Sequence, residues 1–173
     1  RDPWTSIDYY KDLKLTRFAD RLHHRLERKV LATANATVVV SSQMLDEYRD
    51  LSPRIELVEN GFDTDDYSHD SEPALDADFS ICHVGSITPN RNCPALWKAI
   101  SIYASQNAEF KQRLRIRLVG SVDQSVIESL NSLGLTNNVD LVGYLPHKQV
   151  ATIQLQSQIL LLLVNNSPNA KGI

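Results

Sequence analysis

The sequence predicts an α/β protein, a parallel sheet flanked by helices, and three observations carry that prediction. Three short apolar runs each end in a glycine: Ile81-Cys-His-Val-Gly85, Ile116-Arg-Leu-Val-Gly120 and Val139-Asp-Leu-Val-Gly143. Each reads as a buried strand delivering a tight loop to one edge of a sheet. Stretches of helical spacing lie between them, and alternating strand and helix units imply parallel strands with right-handed crossovers. The 173 residues are 42% hydrophobic and 23% charged, the composition of an ordinary globular chain with one sizeable core or two small ones. Open parallel sheets place ligand sites outside the carboxyl ends of their strands, where glycine lets a backbone approach closely.

In chain order, Phe18, Leu22, Leu26 and Val30 recur at helical spacing and predict a helix from Arg17 to Ala34, capped by Thr16. Ala36 to Val40 is a β-branched run, Ser42 caps a short helix through Tyr48, and Arg54 to Glu59 supplies a further strand ending at Asn60-Gly61. Glu59 to Asp78 holds eight acidic residues and no Lys or Arg, a composition that reads as an interdomain linker. Phe79 to Ser86 is then a strand, Pro94 takes a first-turn position, and Leu96, Ile100 and Tyr103 form the inward face of a helix. Leu114 to Ser121, a helix from Asp123 to Leu133 stopped by Gly134, Val139 to Leu145, a helix after Pro146 and a strand from Ile159 to Val164 complete the series. The expected organisation is residues 1–61 as the closing part of a first domain, 62–78 as the linker and 79–173 as the first half of a second domain.

A net charge of −3 and a pI near 5.9 argue against a nucleic-acid binder, whose phosphate affinity needs a basic surface. Charge is unevenly spread. Arg1 to Val30 carries eight Lys/Arg against five Asp/Glu, so its helix either rests on an anionic membrane surface as a peripheral contact or presents a solvated face. Cys82 and Cys93 are too few for a disulfide scaffold or a zinc knuckle, and Cys82 reads as core. No apolar stretch approaches the roughly 20 residues that cross a bilayer, and the opening residues do not resemble a signal peptide. A cytoplasmic setting is the expectation. The chain opens on Arg1-Asp-Pro-Trp4 and stops at Lys171-Gly172-Ile173, one loop after a strong strand, and so reads as a piece of something longer.

Unpaired amides at a helix start carry partial positive charge, which makes the loop from Gly85 to Pro94 a seat for phosphate. Arg91 adds a planar fork that can grip two oxygens, or else pairs with a surface carboxylate. The dinucleotide Gly-x-Gly-x-x-Gly and the P-loop Gly-x-x-x-x-Gly-Lys-[Ser/Thr] are both absent. Asp63-Thr-Asp65-Asp66 could hold a divalent metal beside a diphosphate, but a solvated loop suits an acidic run better. His23 and His24 point apart on a helix and make no metal site. His147 either faces the loops or caps the helix that follows it. Asn60-Gly61 reads as a turn with positive φ, or as a cleft residue at a domain junction. Trp4 reads as packing or as the wall of a ligand site.

Five segments in order resemble the family-four retaining glycosyltransferases of GT-B fold, and Arg1-Asp-Pro-Trp4 resembles a stretch of the first domain in a bacterial subgroup that builds surface polysaccharides. The five are Glu27 with Ala36-Thr-Val-Val-Val-Ser41, Ile55-Glu-Leu-Val-Glu-Asn60-Gly61-Phe62-Asp63, His83-Val-Gly85-Ser86, Arg91-Asn92, and Val142-Gly143-Tyr144-Leu145-Pro146. The resemblance implies two Rossmann-like domains, of which this chain holds the tail of the acceptor-side domain and the first half of the donor-binding one. It implies that Gly85-Ser86 is the turn beside the diphosphate of a UDP- or GDP-sugar, with Ser86 where the family commonly has Arg. Arg91 corresponds to the basic residue, usually Lys, that neutralises the leaving diphosphate. The Tyr144-Leu145 backbone matches the place where the base rests, and Lys171-Gly172 begins the loop that approaches donor sugar and phosphates. The implied reaction moves a sugar to an acceptor hydroxyl with retention, the acceptor being a saccharide or lipid-linked. No metal or other cofactor is needed where protein cations and amide dipoles stabilise the departing charge. This piece alone is expected to be inactive. A sugar-nucleotide epimerase of the same fold and a noncatalytic α/β binding module are the rival readings.

Overall fold

The computed structural model describes residues 3–67 and 74–164. They fall into two compact units that divide between Phe62 and Asp63, the first rejoined by Val164.

The first unit is built on helix α1 (Arg17–Thr33), whose start is capped by the Thr16 hydroxyl accepting from Ala19 N at 3.2 Å. Strand β1 (Thr37–Val39) and strand β2 (Ile55–Leu57) pair in parallel around helix α2 (Ser42–Tyr48). The cap of α2 is Ser41, which accepts from Met44 N at 3.3 Å, one residue earlier than the expected Ser42. Val39, Met44 and Tyr48 form a small core, with Leu31, Val40, Leu45, Leu51 and Ile55 packed around it. The stripe of Phe18, Leu22, Leu26 and Val30 is exposed among the described residues, Phe18 at 78%. The buried face of α1 is instead marked by Glu27, whose carboxylate accepts from the backbone N and the hydroxyl of Thr5. Trp4 packs edge-on to His23 and donates Nε1 to its Nδ1 at 3.1 Å. Gly61 does not take the positive φ expected of a tight turn. No neighbour crowds it, so nothing forces the chain there into a conformation reserved for glycine.

The second unit is a four-stranded parallel sheet in the order β5-β4-β3-β6. Strand β3 (Phe79–Val84) leads to helix α3 (Pro94–Gln106) and a short helix α4 (Ala108–Arg113). Strand β4 (Leu114–Val119) follows, then helix α5 (Gln124–Ser132), strand β5 (Val139–Gly143), helix α6 (His147–Gln156) and the two-residue strand β6 (Ile159–Leu160). Leu114, Ile116 and Leu118 of β4 are fully buried and pack with Ile81, Ile87, Trp97, Val126 and Leu130. Between them Arg115 and Arg117 are only partly buried, so the strand alternates an apolar face with a charged one before Val119. On α3 the inward face is Trp97, Ile100 and Ala104. Tyr103 is half exposed and lies edge-on to Phe110 of α4, a helix the sequence reading did not anticipate.

The described ends of the acidic 62–78 segment are tied to this second unit. Asp66 lies 3.3 Å from His147 Nδ1 at the start of α6, and Tyr67 donates to Gln154 Oε1. Asp76 pairs with the half-buried Arg117 of β4 at 2.5 Å, and Asp78 with Arg115 at 3.0 Å. Asp76 and Asp78, read from sequence as part of an interdomain linker, are therefore matched to the two arginines of the Arg115-Ile-Arg117 stretch.

Candidate functional site

The glycines that end β3, β4 and β5 lie side by side at the carboxyl edge of the sheet. All three take positive φ: Gly85 at 134°, Gly120 at 114° and Gly143 at 73°. Gly85 N donates to Val119 O at 2.9 Å, and Gly120 N donates to Gly143 O at 2.8 Å, so the edge is knitted together beyond the strands. A Cβ placed on Gly120 would fall 2.5 Å from the carbonyl oxygen of Gly85, far inside contact distance. Two backbones approach here as only glycine allows. A second tier continues the ladder: Ile87 N donates to Ser121 O at 2.8 Å, and Asp123 N to Ile87 O at 2.9 Å. The fully buried Ile87 side chain anchors the loop from below.

Three of the residues singled out from sequence share this loop. Gly85 and Ser86 leave β3, and Arg91 closes a single 3-10 turn, Pro89–Arg91, in which its N donates to Thr88 O at 2.9 Å. The Arg91 guanidinium is drawn back over the loop, where Nη1 donates to Ser86 O at 3.3 Å. Its contact is with a carbonyl of the loop itself, and among the described residues no carboxylate pairs with it. Tyr144 and Leu145 follow Gly143 at the same edge, two strands away, with Tyr144 82% exposed. Two inter-strand spacings are roughly 10 Å. Lys171 and Gly172 lie outside the described residues.

The helix starts at this edge differ in a way that bears on charge. The start of α5 is filled by Asp123, whose Oδ1 accepts from Ser125 N at 2.9 Å and Ser125 Oγ at 2.6 Å. Those two bonds hold its carboxyl below the ordinary value of 3.8. The starts of α3 and α6 have Cys93 and Pro146 at the cap position, and neither supplies a side-chain acceptor. Pro94 has no N–H, and Leu96 N and Gln149 N donate to Cys93 O at 3.0 Å and Pro146 O at 2.9 Å, so each start keeps the partial positive charge of a helix N-terminus with no side chain to neutralise it. His147 is the first residue of α6 and pairs with Asp66, so it holds the 3-10 turn Thr64–Tyr67. Among the described residues, no cluster of three His, Cys, Asp or Glu could hold a metal ion, and Asp63 accepts from Asp65 N at 3.0 Å within its own turn.

Two residues of the site stand in the quoted motifs but are given no role from sequence. Asn92 donates Nδ2 to Ser129 Oγ at 3.0 Å and to Ser125 O at 3.4 Å, and accepts from Trp97 Nε1 at 3.0 Å. It fixes the Arg91 loop to α3 and α5 at once. An Asn just before a helix start three residues ahead of a Trp was the only available signal. His83 is 3% exposed at the end of β3, with Nδ1 at 2.9 Å from the Leu161 carbonyl. It was visible only as a polar interruption in an apolar run.

No family model matches the sequence, and no curated protein does. Solved structures do. WaaG, a glycosyltransferase involved in lipopolysaccharide biosynthesis, superposes with a TM-score of 0.65 at 15% identity over 91% of this chain and 45% of that one. HepE of Anabaena, in complex with UDP and glucose, gives 0.60 at 16% identity over 86% of this chain and 43% of that one. A mutant TarM of S. aureus, in complex with fondaparinux, α-GlcNAc-glycerol and UDP, gives 0.61 at 10% identity over 80% and 27%. This chain thus spans less than half of each of these proteins. Its fold is that of GT-B glycosyltransferase domains, an α/β arrangement of parallel sheets flanked by helices. No helix among the described residues is long and apolar enough to cross a membrane.

Proposed function

We propose that this chain is part of a retaining glycosyltransferase that takes a sugar from a UDP- or GDP-sugar and delivers it to a saccharide or lipid-linked acceptor. Its place is in surface-polysaccharide synthesis, at the cytoplasmic face of a membrane. The observation that carries the reading is the edge formed by Gly85, Gly120 and Gly143, with a permanent cation, Arg91, beside the uncapped start of α3. Gly85 and Ser86 cradle the diphosphate, and the backbone of Tyr144 and Leu145 supports the base. Lys171 and Gly172 open the loop that completes the donor site.

Bond breaking at the anomeric carbon sends the C–O electron pair to the terminal phosphate, so the diphosphate gains one negative charge beyond the two it carries in the donor. Fixed donors aimed at that charge lower the barrier because they need no reorganisation when it appears. Arg91 is suited to this, since among the described residues its guanidinium makes one hydrogen bond, a 3.3 Å contact to Ser86 O that a phosphate oxygen would replace with a charge-assisted one. With the guanidinium and the amides supplying the positive charge, the reaction needs no metal cofactor. Single preorganised donors of this kind contribute about 3–4 kcal/mol to a transition state.

The test is a titration of the intact protein with UDP- and GDP-sugars, beside an assay for nucleoside diphosphate released only when acceptor is present. Arg91→Ala is expected to weaken donor binding by about 10- to 100-fold, the loss of one hydrogen bond to a charged group. Unchanged affinity for every donor would remove Arg91 from the site. The 173-residue piece alone is expected to release no diphosphate.

A further inference from the structure

The imidazole of His83 is used at one nitrogen only. A carbonyl can only accept, so the 2.9 Å contact to Leu161 O places the proton on Nδ1 and leaves Nε2 with a lone pair. That Nε2 is buried and has no hydrogen-bond partner among the described residues. An unsatisfied buried acceptor is uncommon, and it costs stability unless something fills it. Gly85 lies beside it. A Cβ built on that glycine would lie 3.6 Å from His83 Nε2, an ordinary contact distance, and within 4 Å of no other heavy atom of the described residues beyond the adjoining ones. The place that any other residue type would fill at position 85 therefore has Nε2 as its neighbour.

We propose that His83 Nε2 is a hydroxyl-accepting subsite beside Gly85 that reads a hydroxyl of the bound nucleotide-sugar and not its phosphates. This rests on the nucleotide-sugar reading above. The chemistry selects the group: a neutral acceptor is complementary only to a donor, and the fully ionised phosphates carry none. The ribose and the transferred sugar both offer hydroxyls. His83 is then a specificity-determining residue, held in one tautomer by the strand next to it.

The experiment compares the intact protein with His83→Asn, whose amide can keep the donor to Leu161 O while removing the ring nitrogen at Nε2. Binding of UDP, UDP-glucose and inorganic sulfate is measured for both. An accepted hydroxyl predicts a loss of about three- to tenfold, the range for one neutral hydrogen bond. Loss with UDP-glucose alone assigns a hydroxyl of the sugar, loss with UDP as well assigns the ribose, and sulfate is unaffected in both cases. Equal weakening of sulfate, or no weakening at all, overturns the proposal. Nitrogen NMR of the unsubstituted protein gives an answer that needs no variant: the Nε2 resonance moves upfield when the sugar nucleotide binds and stays in place with sulfate. A resonance that does not move on sugar-nucleotide binding also overturns it. If no nucleotide or nucleotide-sugar binds, the donor-site reading itself fails, a result distinct from bound donor with an unresponsive His83.

Discussion

Gly120→Ala tests whether the glycine edge is a true backbone crossing. The added methyl meets two penalties. The first is conformational, because a φ of 114° lies where residues with a Cβ are rarely found, at about 1–3 kcal/mol. The second is a collision: Cβ would sit 2.5 Å from the Gly85 oxygen and 3.0 Å from its carbonyl carbon, both backbone atoms. The Gly85 peptide must move, which strains the 2.9 Å bond from Gly85 N to Val119 O and the 2.8 Å bond from Gly120 N to Gly143 O. Weakening these adds about 1 kcal/mol each, for a total of about 3–5 kcal/mol. Gly143→Ala is the matched control. Its φ is also positive, at 73°, but nothing lies within 4 Å of the added carbon, so it bears only the left-handed penalty of about 1–2 kcal/mol. Urea unfolding of the two variants, followed by tryptophan fluorescence from the buried Trp97, measures the difference. Destabilisation equal within about 0.5 kcal/mol, the usual scatter between independent sites, would refute the crossing.

The two cysteines should separate chemically. Cys82 is buried, and its burial pushes the thiol above its ordinary value against the opposing effects of Ser157 and Arg117. Alkylation at pH 8 followed by mass spectrometry is expected to label Cys93 well before Cys82, and equal rates would contradict the packing of β3. Asp123 gives a pH signature. Its carboxyl is held low in the folded state, so its contribution is complete above its unfolded value of 3.8 and disappears as pH falls through the lower folded value. Asp123→Asn keeps a capping oxygen without that titration, and acid-unfolding curves for the two proteins are expected to diverge above that window and converge below it.

The glycine-terminated strands were legible because β3 and β4 bury their apolar residues and their exit has to be glycine, whereas β5, expected to be buried, lies at the end of the strand order with Leu141 52% exposed. The cap at Thr16 and the proline opening α3 were legible for the same local reason. What escaped depends on partners distant in sequence. Trp97 takes the inward face that Tyr103 was expected to share because Asn92 meets its indole N–H, whereas the Tyr103 ring turns to Phe110 of an unforeseen helix. The end of the acidic segment read as linker because the counter-charges of Asp76 and Asp78, Arg117 and Arg115, come some 40 residues on. The apolar stripe of α1 was correctly periodic, yet periodicity cannot say what covers a face. His83 declared itself only through Leu161, 78 residues away.

That separation has a consequence for the order in which the scaffold assembles. Phe79 and Leu114 begin the β3–β4 pairing 35 residues apart, whereas Ile81 meets Ile159 across 78. Closing the longer loop carries about 0.7 kcal/mol more chain entropy, and β6 returns only two residues of pairing for it. The outer strand is therefore the last to zip and the first to fray, and each excursion releases the Leu161 carbonyl that dictates which imidazole nitrogen bears the proton.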